Sequence, residues 1–122
     1  MSKPENPATV RDCLQLAHGV APSELDHIVD LWHRLDQRLL SFPQEAVELR
    51  LSIKERDTPS QHTTLEAWIA RRDPLVATSN REGYDAALTE VRDDLIRQIT
   101  DMKNRSEPRK DRRLRERPEP NA

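Results

Sequence analysis

Val47-Glu48-Leu49-Arg50-Leu51-Ser52-Ile53-Lys54 alternates apolar and polar residues without a break. A period of two places Val47, Leu49, Leu51 and Ile53 on one side of an extended chain. Glu48, Arg50, Ser52 and Lys54 fall on the other. This stretch reads as a strand with one buried face and one wet face, and the remaining elements are read relative to it.

Downstream, Asp57-Thr58-Pro59-Ser60 is a turn. Leu65, Ala67 and Ile69 then form a second buried face, with Glu66 and Trp68 pointing the other way. Arg72-Asp73-Pro74 is another turn, and residues 75–78 make a short further strand. Ser79-Asn80-Arg81-Glu82-Gly83 leads into a helix whose stripe is Tyr84, Leu88, Val91, Leu95, Ile99 and Met102. Spacings of three and four are a helical period that no strand produces. The helix is expected to fade near Asn104, and Pro108 would break it.

Upstream, Ser23 is in position to cap a helix, with Asp26 in the capping-box position. Leu25, Ile28, Val29, Trp32, Leu35 and Leu39 recur at helical spacing, with Asp30, Arg34 and Arg38 on the wet side. This first helix should run to about Ser41 and stop before Pro43. Residues 10–18 read as the first strand, with Leu14, Leu16 and His18 on one side, closed by Gly19-Val20-Ala21-Pro22. The expected fold is α+β, in the order β-α-β-β-β-α. A right-handed crossover joins a parallel first pair, hairpins join the rest, and two helices pack on one face of a four-stranded mixed sheet. Residues 1–9 are read as a flexible lead-in, 10–105 as the domain and 106–122 as a disordered basic tail, because that tail holds one Leu and no other large apolar residue.

The chain has 122 residues, enough for one domain, and its aromatic content of 3% implies a small aliphatic core. No apolar run approaches a membrane span, and the first residues contain no apolar signal segment. The single Cys13 excludes an internal disulfide and fits a reducing, cytoplasmic setting. The net charge of −2 conceals a split. Residues 1–102 hold 12 Lys and Arg against 18 Asp and Glu, while residues 103–122 hold 8 against 4. An acidic body with a basic tail suits a protein that seeks phosphate through one end. That tail comprises Lys103, Arg105, Arg109, Lys110, Arg112, Arg113, Arg115 and Arg117, diluted by Glu107, Asp111 and Glu116. Arg predominates, which suits bidentate phosphate contacts. The plainer reading is a solvated segment that aids solubility.

Other motifs carry less. Trp68 on the wet face could stack on a base, but packing against its neighbours explains it better. Trp32 belongs to the core stripe. Asp26, Asp30 and His33 share a helix, and an exposed polar face accounts for them better than a metal does. No His pair has a zinc spacing with Cys13, which reads as a buried small hydrophobe. Gly19 and Gly83 alone cannot make a phosphate loop, and there is no serine elbow. No enzymatic activity, cofactor or metal is expected.

The last third resembles the short ribosome hibernation-promoting factors, also called ribosome-associated translation inhibitors (the sigma-54 modulation protein family). Leu75-Val76-Ala77-Thr78-Ser79 running into Gly83-Tyr84-Asp85-Ala86-Ala87-Leu88 carries the likeness, with Leu95-Ile96-Arg97-Gln98-Ile99 and the basic residues after it. His27-Ile28-Val29-Asp30 and Arg34-Leu35-Asp36 agree more loosely. The similarity covers roughly residues 10–113. It implies a fold like a double-stranded-RNA-binding domain with one extra strand. It further implies docking in the mRNA and tRNA channel of the small ribosomal subunit, through basic contacts to 16S-type rRNA, with inhibition of translation. A monomer off the ribosome is expected, since the polar tail resembles the short form. Here the tyrosine of the helix start stands one place early, and Asp93, Asp94 and Asp101 replace lysines common in the family. The RNA contacts implied are therefore Arg34 and Arg38 on the first helix, Arg92, Arg97, Lys103 and Arg105 on the second, and Arg109, Lys110, Arg112 and Arg113 beyond it. The alternative is a protein-interaction or regulatory module on the same fold, without RNA binding.

Overall fold

A computed structural model describes residues 5–106. The elements are α1 (Val10–Cys13), β1 (Leu14–Leu16), α2 (Leu25–Leu31), α3 (His33–Leu39), β2 (Val47–Lys54), β3 (His62–Ile69), β4 (Leu75–Ser79) and α4 (Tyr84–Ser106). The four strands form one sheet in the order β1-β2-β3-β4. β1 pairs with β2 in parallel, Leu14 opposite Leu49, and the other two pairs are antiparallel. The α+β architecture expected from the residue pattern is therefore present, and β2 has the expected bounds.

All the helices with long apolar stripes lie on one face. Leu49, Leu51, Leu65, Ala67 and Ala77 are fully buried against Ile28, Trp32, Leu35 and Leu39 and against Leu88, Val91, Leu95 and Ile99. Trp32 is the largest of these fully buried side chains. Its indole Nε1–H donates to the Leu88 carbonyl at 3.0 Å, which satisfies the one polar atom a buried indole carries. The opposite face of the sheet carries Glu48, Arg50, Lys54, Glu66 and Trp68, as the alternation requires.

Several local expectations are corrected. Residues 10–13 are a helical turn rather than the start of a strand. Thr9 Oγ1 accepts from the Asp12 N–H at 3.1 Å, and the Val10 N–H donates to Asp36 Oδ1 at 2.7 Å. Those acceptors satisfy backbone groups a strand would have left to the sheet. Pairing still continues beyond Leu16, through Ala17 N–H to the Leu51 carbonyl and Ile53 N–H to the His18 carbonyl, both at 2.8 Å. His18 itself is exposed rather than on the side of Leu14.

The first long helix is broken in two at Trp32, whose φ of −99° and ψ of 25° are not helical. The Leu31 carbonyl there accepts from Arg92 Nη1 at 3.0 Å. An arginine from the other helix thus takes the acceptor that the break exposes. The cap is also different. Glu24, not Asp26, reaches back to the Ala21 N–H at 2.8 Å, and Ser23 lies inside a short 3₁₀ turn, Pro22–Glu24.

The described part of the lead-in is docked, not loose. Ala8 is fully buried, its N–H donates to the Phe42 carbonyl at 2.9 Å, and Gln44 N–H donates to the Asn6 carbonyl at 2.8 Å. The tail expected over residues 106–122 lies outside the described residues, save Ser106 at the end of α4.

Candidate nucleic-acid interface

The contacts fix how the two helical layers run. Leu31 meets Arg92, Trp32 meets Leu88 and Phe42 meets Lys103, so α2 and α3 run in the same direction as α4. Charge is unevenly spread along this pair. Asp26 and Asp30, with Asp85, Glu90, Asp93 and Asp94, occupy the N-terminal halves. Arg34 and Arg38 are exposed one turn apart on α3, and Lys103 and Arg105 lie in the last turns of α4. Cations there also offset the negative end of each helix dipole, so some of this placement serves stability alone.

Two arginines not singled out in the sequence join them. The β3–β4 turn carries Arg71, in the left-handed region at φ 69°, and Arg72. Both are exposed, and with Arg105 they line a cavity of about 350 Å³ whose other walls are Asp73, Leu75 and Met102. Three arginines and a single carboxylate give this shallow cavity a net positive lining. Arg72 also borders a second cavity, of about 340 Å³, beside Trp68 and Glu48. Trp68 is half-buried among these neighbours on the open face.

The six described candidates do not form one surface. Arg92 is 13% exposed and is committed to the Leu31 carbonyl and to Asp93 Oδ1, 2.8 Å from its Nη2. It holds α2 against α4. Arg97 is exposed but ion-paired with Asp94 one turn back. Lys103 Nζ stands 5.1 Å from the Phe42 ring centroid, a cation–π contact at the end of α3. Arg34, Arg38 and Arg105 are exposed. Arg109, Lys110, Arg112 and Arg113 lie outside the described residues.

A separate cluster ties the opposite end together. Arg56 donates through Nη1 to Glu24 Oε1 at 2.8 Å and to the Gly19 carbonyl at 2.9 Å, and its Cζ lies 4.0 Å from the Tyr84 ring centroid. His27 Nε2 and Asp85 Oδ1 are 2.6 Å apart, with the His27 ring stacked on Tyr84. The Arg56 hydrogen bonds hold the Glu24 carboxyl at about 2, while burial, reinforced by Glu24, pushes the Tyr84 hydroxyl up to about 12. A depressed carboxyl stabilises the fold above its unfolded value near 4.5 and loses that contribution as pH falls toward 2. A raised phenol does the reverse, losing its contribution as pH rises from 10 toward 12. Urea midpoints should therefore fall across both windows, and Arg56→Met should flatten the acid limb.

Cys13 is buried at the end of α1, and burial pushes its thiol up, away from the reactive thiolate. Among the described residues no three His, Cys, Asp or Glu side chains are grouped to hold a metal, and no helix is long and apolar enough to cross a membrane. No family model matches the sequence, and no curated protein matches it.

Proposed function

We propose that this domain binds RNA of the small ribosomal subunit through the C-terminal end of its helical layer, and so holds ribosomes idle. The observation that carries the reading is the meeting of Arg71, Arg72 and Arg105 around one cavity, at the end of α4 from which the basic residues 109–117 continue. The sequence resemblance to ribosome hibernation-promoting factors supplies the partner, with docking in the mRNA and tRNA channel and inhibition of translation. Arg34 and Arg38 add cations on the neighbouring helix. The domain acts as a monomer off the ribosome, in the cytoplasm, by occupying RNA rather than by catalysis.

Binding of this kind releases counterions, about 0.9 per phosphate neutralised on B-form DNA and about 0.7 on single strands. Arg71→Ala, Arg72→Ala and Arg105→Ala together should weaken binding to small subunits at least tenfold and lower the salt slope by about 2–3, as measured by fluorescence anisotropy in a salt series. Arg92→Met is the contrasting variant. It should cost about 1–2 kcal/mol of stability, for a charged hydrogen bond lost at a helix break, and leave the salt slope unchanged.

A protein-interaction reading on the same fold has its own support. The middle of α4 carries Asp93, Asp94 and Glu90 beside the sheet edge, a poor surface for phosphate.

A further inference from the structure

The free edge of the sheet lies along that acidic flank. β4 pairs with β3 and, among the described residues, with no strand on its other side. The Val76 carbonyl accepts from Gln98 Nε2 of α4 at 2.8 Å, so it faces away from β3. In a strand the N–H and C=O of one residue point the same way, and the direction alternates. Val76 and Thr78 therefore aim their backbone groups outward, while Leu75, Ala77 and Ser79 aim theirs at β3. The Gln98 side chain occupies one outward carbonyl. The Val76 N–H and both groups of Thr78 are left to pair with a further chain.

Thr78 of this edge, with Arg81 beyond it, borders a groove of about 810 Å³ whose long wall is the flank of α4. Along α4 the groove runs from Asp85 to Arg97, about 18 Å at the rise of a helix. That length admits about five residues of extended chain. Val76, 48% exposed, sits beside it and is the one large apolar side chain so exposed among the described residues. The lining is net acidic, with Asp85, Glu90, Asp93 and Asp94 against Arg81 and Arg97. Both arginines are partly spent within it, Arg97 on Asp94 and Arg81 on Glu90 at 3.6 Å. Asp85 and Asp93, which meet His27 and Arg92 outside the lining, remain 62% and 55% exposed.

We propose that the groove between β4 and α4 binds an extended, basic peptide segment of a partner protein, which adds to β4 as a fifth strand. Strand addition of this type draws affinity from main-chain hydrogen bonds and specificity from alternate side chains. Here the open N–H and C=O groups supply the first, and the carboxylates select Lys or Arg for the second. The groove and the arginine cavity have opposite charge and adjoin along β4 and α4, Thr78 and Arg97 lining the one and Leu75 and Met102 the other. Their side chains are distinct, so substitutions can remove one activity without the other.

The test uses the full chain, ¹⁵N-labelled, titrated with a synthetic peptide of roughly nine residues alternating Lys or Arg with Thr or Val. Saturable binding with amide shifts centred on Val76, Thr78 and the facing turns of α4 is expected. The same peptide N-methylated at alternate positions cannot pair and should bind at least tenfold more weakly. Thr78→Pro removes an outward N–H without touching the β3 ladder, and should weaken the unmodified peptide to the same extent. Asp93→Asn with Asp94→Asn should weaken it several-fold, with subunit binding retained. Equal binding of the N-methylated peptide, or shifts confined to other surfaces, would overturn the proposal. So would binding that appears only after residues 107–122 are removed, since the chain's own basic segment would then be the occupant.

Discussion

Trp32→Ala should cost about 4–6 kcal/mol, a large share of the 5–15 kcal/mol that holds a typical domain folded. Trp32 is fully buried where α2, α3, α4 and the sheet meet, and aromatic-to-Ala changes in such places cost about 3–5 kcal/mol. The hydrogen bond to Leu88 adds about 1 kcal/mol. The non-helical backbone at Trp32 lets the ring enter the core from a broken helix. Removing the ring leaves the Arg92 hydrogen bond to the Leu31 carbonyl to hold that break. Trp32→Phe keeps most of the volume and loses the indole N–H, so it should cost only about 1–2 kcal/mol. Guanidinium denaturation of the two variants checks the ordering. Equal losses would mean that the hydrogen bond, not the packing, dominates the site.

Gly19→Ala is the second large effect, expected at about 2–5 kcal/mol. Gly19 has φ of +83°, where an L side chain costs about 1–2 kcal/mol. A Cβ there would also stand 2.1 Å from the Ile53 carbonyl oxygen, a backbone atom fixed in β2. Relief requires moving the chain that pairs His18 with Ile53 and that offers the Gly19 carbonyl to Arg56. A backbone shift of that kind adds strain of about 1–3 kcal/mol. Gly19→Asn separates the two causes. Asn tolerates the left-handed region, so a loss due to φ alone would largely recover in Asn. The contact with Ile53 predicts that it does not, and thermal melts of the two variants decide between the causes.

How far the residues alone reveal this molecule depends on the range of the forces involved. β2 was legible because its eight residues answer to one rule, alternation against a buried layer, and the structure keeps the same bounds. The stripe of α4 was legible for the same reason at a different period. The turn at residues 10–13 was not. Thr9 is an ordinary cap, but the decisive acceptor, Asp36, comes from a helix 26 residues away. The break at Trp32 was hidden for a like cause, since Arg92 lies 61 residues from the carbonyl it binds. Glu24 took the capping role from Asp26 because a short 3₁₀ turn shifted the start of the helix.

The candidate site divides along the same line. Arg34 and Arg38 fall on the wet side of a periodic stripe, so their exposure could be read directly. Arg92 and Arg97 carry the same side chain but have different surroundings, a helix carbonyl for one and Asp94 for the other. Arg71 and Arg72 look like turn residues in the chain. Only the β3–β4 hairpin brings them to Arg105, more than thirty positions on. The one signal that could have found them is the Arg-Arg pair itself, in a turn otherwise made of Asp and Pro.

The central claim is that the basic end of this domain grips the small ribosomal subunit. Sucrose-gradient sedimentation of the purified protein with small subunits at low salt tests it most directly. The expected result is co-migration with the subunit peak, lost as salt rises and reduced by the Arg71, Arg72 and Arg105 substitutions. Protein that stays at the top of the gradient at low salt, with its fold intact by circular dichroism, would contradict it.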